Sequence, residues 1–163
     1  MVIYDLTPEE CRRVLKRENF GRLACARENH PYVVPIGFAY QSEYLYGFSA
    51  VGQKIEWMRA NPCVCLEIDT VTSLDRWLSV IVTGRYEELP DISEWNEELI
   101  DAYDLIRQRS LWSEPAYISA VLRDPSQRPT LVYYRIHIEK LTGRRAFPNT
   151  VEAASAGYPA SKI

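Results

Sequence analysis

The sequence has no G-x-G-x-x-G, no G-x-x-x-x-G-K-[ST], no G-x-S-x-G and no H-E-x-x-H. The one-motif signatures of dinucleotide binding, nucleoside triphosphate binding, serine hydrolysis and zinc peptidases are therefore missing. It has only two histidines: His30 lies in a Pro-containing turn, and His137 shares an alternating segment with Arg135 and Glu139. That leaves little from which to build a haem or metal site. The four cysteines, Cys11, Cys25, Cys63 and Cys65, show neither disulfide-scaffold density nor C-x-x-C spacing and read as reduced thiols. Cys63 and Cys65, two apart on one strand, have poor geometry for a bridge and read as small core filler.

Charge of one sign is also lacking. Nineteen basic residues stand against 22 acidic ones, a formal charge of -3 with no sustained run of Lys and Arg, which argues against nucleic acid as a partner. No apolar stretch reaches the ~18 residues that span a bilayer, and Met1 to Tyr4 leads into a polar cap rather than a signal segment. The expectation is a cytoplasmic protein with no membrane partner. What is present suffices for a core. With 163 residues, 47% hydrophobic and 12% aromatic, the chain fits one domain that buries roughly 70% of its unfolded surface.

Thr7-Pro8-Glu9-Glu10 is a capping box with Pro at the first helical position, and it predicts a helix ending near Asn19. From Phe20 the period changes to two. Phe20 to Ala26, Tyr32 to Tyr40 and Tyr44 to Phe48 read as three strands of an antiparallel meander. Ile55 to Ala60 is a short helix stopped by Asn61-Pro62. Strands follow over Cys63 to Asp69 and Leu74 to Leu89. In the latter, Ser79 to Arg85 is β-branched and apolar on both faces, as in a strand covered twice. Trp95, Leu99, Ala102, Tyr103 and Ile106 mark an amphipathic helix over Ser93 to Arg109, and an irregular stretch contains Asp124 to Pro129. A last strand covers Thr130 to Leu141. The reading is one domain over 1–145 and a loosely held tail over 146–163. Five to six antiparallel strands with inserted helices point to a mainly β, closed or partly closed barrel.

The most informative segment for chemistry is Ser49-Ala50-Val51-Gly52-Gln53-Lys54. A helix N-terminus offers free N–H groups and a positive dipole end, Ser49 a hydroxyl and Lys54 a full charge, which together suit one phosphate group. An ordinary helix start with an exposed Lys is the alternative. Glu67 and Asp69 share an alternate face and read as solvated charge.

Phe20-Gly21-Arg22-Leu23-Ala24, Pro31 to Phe38, Leu45 to Ser49 with Gly52-Gln53-Lys54, Asn61-Pro62-Cys63-Val64 and Ser79 to Arg85 stand in one order, closed by Lys140-Leu141-Thr142-Gly143-Arg144. Together they resemble the pyridoxamine 5'-phosphate oxidase-like flavoproteins over about Leu6 to Gly143, nearest to the nitroimidazole-resistance (Nim-type) branch. The resemblance implies an FMN-binding split barrel working as a homodimer, with the flavin at the subunit interface. It aligns Arg22 and Lys54 with phosphate-binding residues and puts Ser49, Gly52 and Gln53 in the same loop. Val34-Pro35-Ile36 would run beside the isoalloxazine ring, and Trp77 and Ser79 would reach it from the adjoining strand.

Two departures bear on function. Gln53 stands where the oxidases often have Arg, which removes one cation from the cradle. Phe48 stands where Nim-type proteins usually carry His, so it would pack on or near the ring and the nitro-group chemistry does not transfer. Arg135-Ile136-His137 matches the oxidases' Arg-x-His only superficially, and vitamin B6 synthesis is not expected. The implied activity is an oxidoreductase passing electrons from a reduced nicotinamide through FMN to a small-molecule acceptor. The alternatives are a non-catalytic flavin module, or the same barrel holding haem or the deazaflavin F420.

Overall fold

The structure, a computed structural model, describes residues 1–89 and 130–148 and, between them, Ile100, Asp104 and Ile106. Those three are helical, as expected over Ser93 to Arg109. The rest of that helix, the Asp124 to Pro129 stretch and positions 149–163 lie outside the described residues.

Strand β1 (Val2–Asp5) precedes helix α1 (Pro8–Arg17). Thr7 caps α1 as predicted: the Glu10 N–H donates to Thr7 Oγ1 at 3.3 Å, and the Thr7 N–H donates to Glu10 Oε2 at 2.9 Å. The helix buries Cys11, Val14 and Leu15. Strands β2 (Phe20–Arg27) and β3 (His30–Gly37) form a hairpin whose turn residues Glu28 and Asn29 both have positive φ, 52° and 63°. That handedness matches the twist of the strands it joins. β4 (Ala39–Gln41) and β5 (Tyr44–Ala50) form a second hairpin. Helix α2 (Gln53–Ala60) then leads to β6 (Cys63–Ser73), β7 (Arg76–Glu88) and β8 (Leu131–Phe147).

All eight strands belong to one antiparallel sheet of order β3-β2-β6-β7-β8-β5-β4, with β1 added beside β8. This corrects the expected three-stranded meander. β2–β3 and β4–β5 are separate hairpins at opposite ends of the order, although Phe38 alone separates β3 from β4 in sequence. The ends of the sheet must therefore meet at Phe38, whose N–H donates to the Asn19 carbonyl at 2.9 Å. The sheet is rolled into the expected split barrel. Local alternation shows that a segment is a strand but not which strand it pairs with.

Inside the roll lie Leu23, Ile36, Leu45, Leu66, Val80 and Ile136, each less than 5% exposed. Strict alternation holds on β6 and β7, so Cys63 and Cys65 point outward with Glu67 and Asp69 instead of filling the core. The other face of β7 is half-covered at Trp77, Ser79 and Ile81 and exposed at Thr83, so within this chain the strand is fully buried on one face only. At Gly84 the β7–β8 register shifts, and a Cβ there would collide with the His137 carbonyl. β8 also continues past the expected domain end: Ala146 is buried and Phe147 pairs with Val2, so neither belongs to a tail. No helix among the described residues is long and apolar enough to cross a membrane.

Candidate functional site

Helix α2 is positioned by its own apolar residues. Ile55 and Met58 are fully buried, Trp57 meets Tyr32 of β3 with ring centroids 5.5 Å apart, and the Asn61 side chain donates to the Ala26 carbonyl at 2.9 Å. These contacts hold the helix against the β2–β3 hairpin and fix where its N-terminus sits. Gly52 is the N-cap, in extended backbone, and among the described residues no side-chain cap bonds the helix start. A Cβ at Gly52 would meet nothing within 4 Å, so the space in front of the helix start is open.

Lys54 is the second residue of α2, close enough to Cys25 of β2 for the two to act on each other's charge. It is half-buried and makes no hydrogen bond or ion pair among the described residues. Burial pushes its pKa below the ordinary lysine value, opposed by the Cys25 thiol. A cation taken partly out of water without a counter-charge is costly unless an anion joins it. The N–H groups of the helix start add to the same positive field. Ser49 is buried close by in sequence, its Oγ donating to the Ala50 carbonyl at 3.0 Å, and Gln53 is exposed at the first turn. A phosphate monoester is the group this donor set suits.

Arg22 is placed differently. It lies on the outer face of β2, the face opposite the buried Leu23 and Cys25, and its Nη1 donates to Asp69 and to Glu67 Oε2, the latter at 3.3 Å. The register explains the pairing, since Arg22 sits directly across from Glu67. The Asp69 hydrogen bond and charge, followed by Glu67, hold the guanidinium protonated. Ser79 Oγ donates to Glu67 Oε1 at 2.9 Å and completes the network. Glu67 and Asp69 are therefore ion-pair partners, not free solvated charges. Sequence reading missed this role, because the register that puts Arg22 across from Glu67 joins residues 45 apart and no local pattern shows it.

Trp77 and Ser79 border a groove of about 620 Å³ whose walls include Ile81, Leu141, Thr142 and Arg144. Of Val34-Pro35-Ile36, the first and third turn into the core and only Pro35 is exposed, across from Arg22. The β period forces this, because successive side chains point to opposite faces. Phe48 faces away from the main core and joins a second cluster with Ala39, Tyr46 and Ile106, its ring 5.9 Å from Tyr133. Arg135, of the Arg-x-His sequence, is tied to Glu87 at 2.7 Å and stacks over Tyr44. The structure thus keeps Ser49, Gly52, Gln53 and Lys54 together, links Arg22 to Ser79 through Glu67, and sets Phe48 apart from both groups.

The family model of pyridoxamine 5'-phosphate oxidase matches residues 7–145. The chain belongs to that family. Among relatives of this oxidase-family chain, an uncharacterized protein of Rhizobium meliloti (strain 1021) is 39% identical over 146 residues, covering 90% of this chain and 97% of that protein. Among solved structures, an FAD-binding protein of Mesorhizobium loti is 39% identical with a TM-score of 0.74, covering 91% of this chain and 99% of that one. A candidate 5-nitroimidazole antibiotic resistance protein of Bacteroides thetaiotaomicron is 21% identical with a TM-score of 0.63, covering 89% of each chain. At that identity the likeness shows the shared barrel of the family.

Proposed function

We propose that this chain binds a flavin, that Lys54 and the start of α2 hold its 5'-phosphate, and that it passes electrons from a reduced nicotinamide to a small acceptor. The single observation that carries the reading is the half-buried Lys54 at a helix N-terminus, with no ion pair and no side-chain cap among the described residues. FMN is the simplest flavin that fits. FAD contains the same riboflavin 5'-phosphate, and the Mesorhizobium loti relative is an FAD-binding protein, so the cradle serves either form.

A bound flavin supplies hydride acceptance and return. The chain's share is positioning: Lys54 neutralises the phosphate, and Trp77 and Ile81 offer an apolar wall in the groove on β7. The half-covered outer face of β7 supports a homodimer in which a second copy closes that groove. Phe48 brings no proton donor to its position and supports a second reading, a flavin module without turnover.

The visible absorption spectrum of the purified protein, with mass analysis of the released chromophore, tests the binding. A two-band flavin spectrum is expected, and the mass identifies FMN or FAD. A colourless protein that takes up neither after incubation and desalting would sink the proposal. Reduction of the bound flavin by a nicotinamide within seconds is the result expected of the enzyme, whereas reduction by dithionite alone would favour the module.

A further inference from the structure

A second groove, of about 500 Å³, lies between α1 and the ends of β7 and β8. Glu10, Arg13, Val14 and Arg17 line it from α1, where spacings of three and four put them on one helix face. Arg145 and Phe147 line it from β8, and its apolar residues also include Leu6 and Leu78. Three arginines and one carboxylate, that of Glu10, thus line it.

That carboxylate is heavily shared. Glu10 Oε2 accepts from the Thr7 N–H at 2.9 Å and from Thr7 Oγ1 at 3.0 Å, leaving Oε1 for Arg145 Nη2 at 3.3 Å. Thr7 and the neighbouring arginines keep Glu10 ionised. Arg17 pairs with Glu18 at 2.8 Å, and Arg13 has no ion pair among the described residues. Arg145 Nε is shut off from solvent with no hydrogen-bond partner, while its guanidinium lies 5.5 Å from the centre of the Phe147 ring. That Nε is closed to the groove as it is to water, so the positive charge open to a ligand there is that of the exposed Arg13 and Arg17.

We infer that this groove binds a small organic anion, a phosphate or carboxylate carried on a ring-sized apolar body. The arginines would take the anionic oxygens by charge-assisted hydrogen bonds, and Leu6, Leu78 and Phe147 would cover the body. The inference does not rest on the flavin reading, because no residue of α2 lines the groove. Leu6 lines both grooves, but this one takes Leu78 of β7 and the other takes Trp77, Ser79 and Ile81, so they use opposite faces of that strand.

The test is a titration of the full-length protein, as purified, with phenyl phosphate and with benzoate, followed by amide NMR, using inorganic phosphate and benzyl alcohol as the separate halves. Saturable shifts at Arg13, Arg17, Leu78 and Phe147 are expected, with phenyl phosphate or benzoate binding at least tenfold tighter than either half. The tighter of the two names the head group. Arg145→Met and the exposed Arg13→Met should each weaken binding at least fivefold with flavin content unchanged. Arg13→Met keeps the test decisive if the β8 substitution disturbs the fold. Equal binding of inorganic phosphate and phenyl phosphate would mean an adventitious ion only. Unchanged affinity in Arg13→Met, or shifts confined to the surroundings of Lys54 and Trp77, would overturn the inference.

Discussion

Lys54 at the start of α2 is half-buried and has no ion pair among the described residues, whereas Arg22 on the outer face of β2 is exposed and held by two carboxylates. Sequence motifs put both at one phosphate. Their surroundings assign them different work: a cation already matched by Asp69 and Glu67 has little field left for a ligand, while an unmatched one at a helix start has all of it. The family order of motifs points to the region we propose for the phosphate, and the local charge balance favours Lys54 over Arg22 within it.

The largest effect that would sharpen this contrast is expected from Lys54→Met. Flavin affinity should fall by about 1.5 to 3 kcal/mol, roughly 10- to 150-fold, while the flavin-free protein melts at the same or a higher temperature because a poorly solvated charge has gone. Calorimetric titration and thermal denaturation measure the two. Gly52→Asp comes next. A side chain fits there, and its carboxylate should cap α2 and stabilise the protein by a few tenths of a kcal/mol. The same carboxylate occupies the N–H groups and opposes the phosphate, so flavin affinity should drop about fivefold. A gain in both stability and affinity would contradict the cradle.

Arg22→Met is expected to change flavin affinity less than threefold. It should lower stability slightly through the half-buried Glu67 and Asp69 it leaves behind, an effect that fades in high salt. An affinity loss as large as that of Lys54→Met would break the contrast, and would mean that the phosphate draws Arg22 away from its carboxylates. The smallest effect lies in the pH dependence of the flavin-free protein. Burial depresses the Lys54 pKa in the folded state, so between that value and the unfolded 10.5 the unfolded chain binds more protons. The Lys54 share of stability should therefore rise with pH across that window. Because burial raises the pKa of Cys11, Cys25, Cys65, Tyr40 and Tyr86 and so works the other way, denaturant unfolding at a series of pH values should show the Lys54 share as a more positive slope in the wild type than in Lys54→Met.

Much of this was legible in the sequence because it depends on local pattern. The Thr7 capping box, the alternation of β2 and β6, and the helix ended by Asn61-Pro62 are each fixed by neighbours within a few residues. β1 was missed because four residues exposed on both faces carry no periodic signal. The pairing of β2 with β6, and with it the capture of Arg22 by Glu67, links residues 45 apart in sequence, and nothing local announces it. The orientation of Val34 and Ile36 into the core was available from the period of two, given that Tyr32 faces the same way. Phe48 was harder, since its neighbours in the second cluster come from β4 and from Ile106.

The most direct test of the central claim is a flavin-fluorescence quenching titration of FMN against the flavin-free wild type, Lys54→Met and Arg22→Met, side by side. The account predicts a loss of at least tenfold for Lys54→Met and a change of less than threefold for Arg22→Met. Equal affinity of the wild type and Lys54→Met would contradict it.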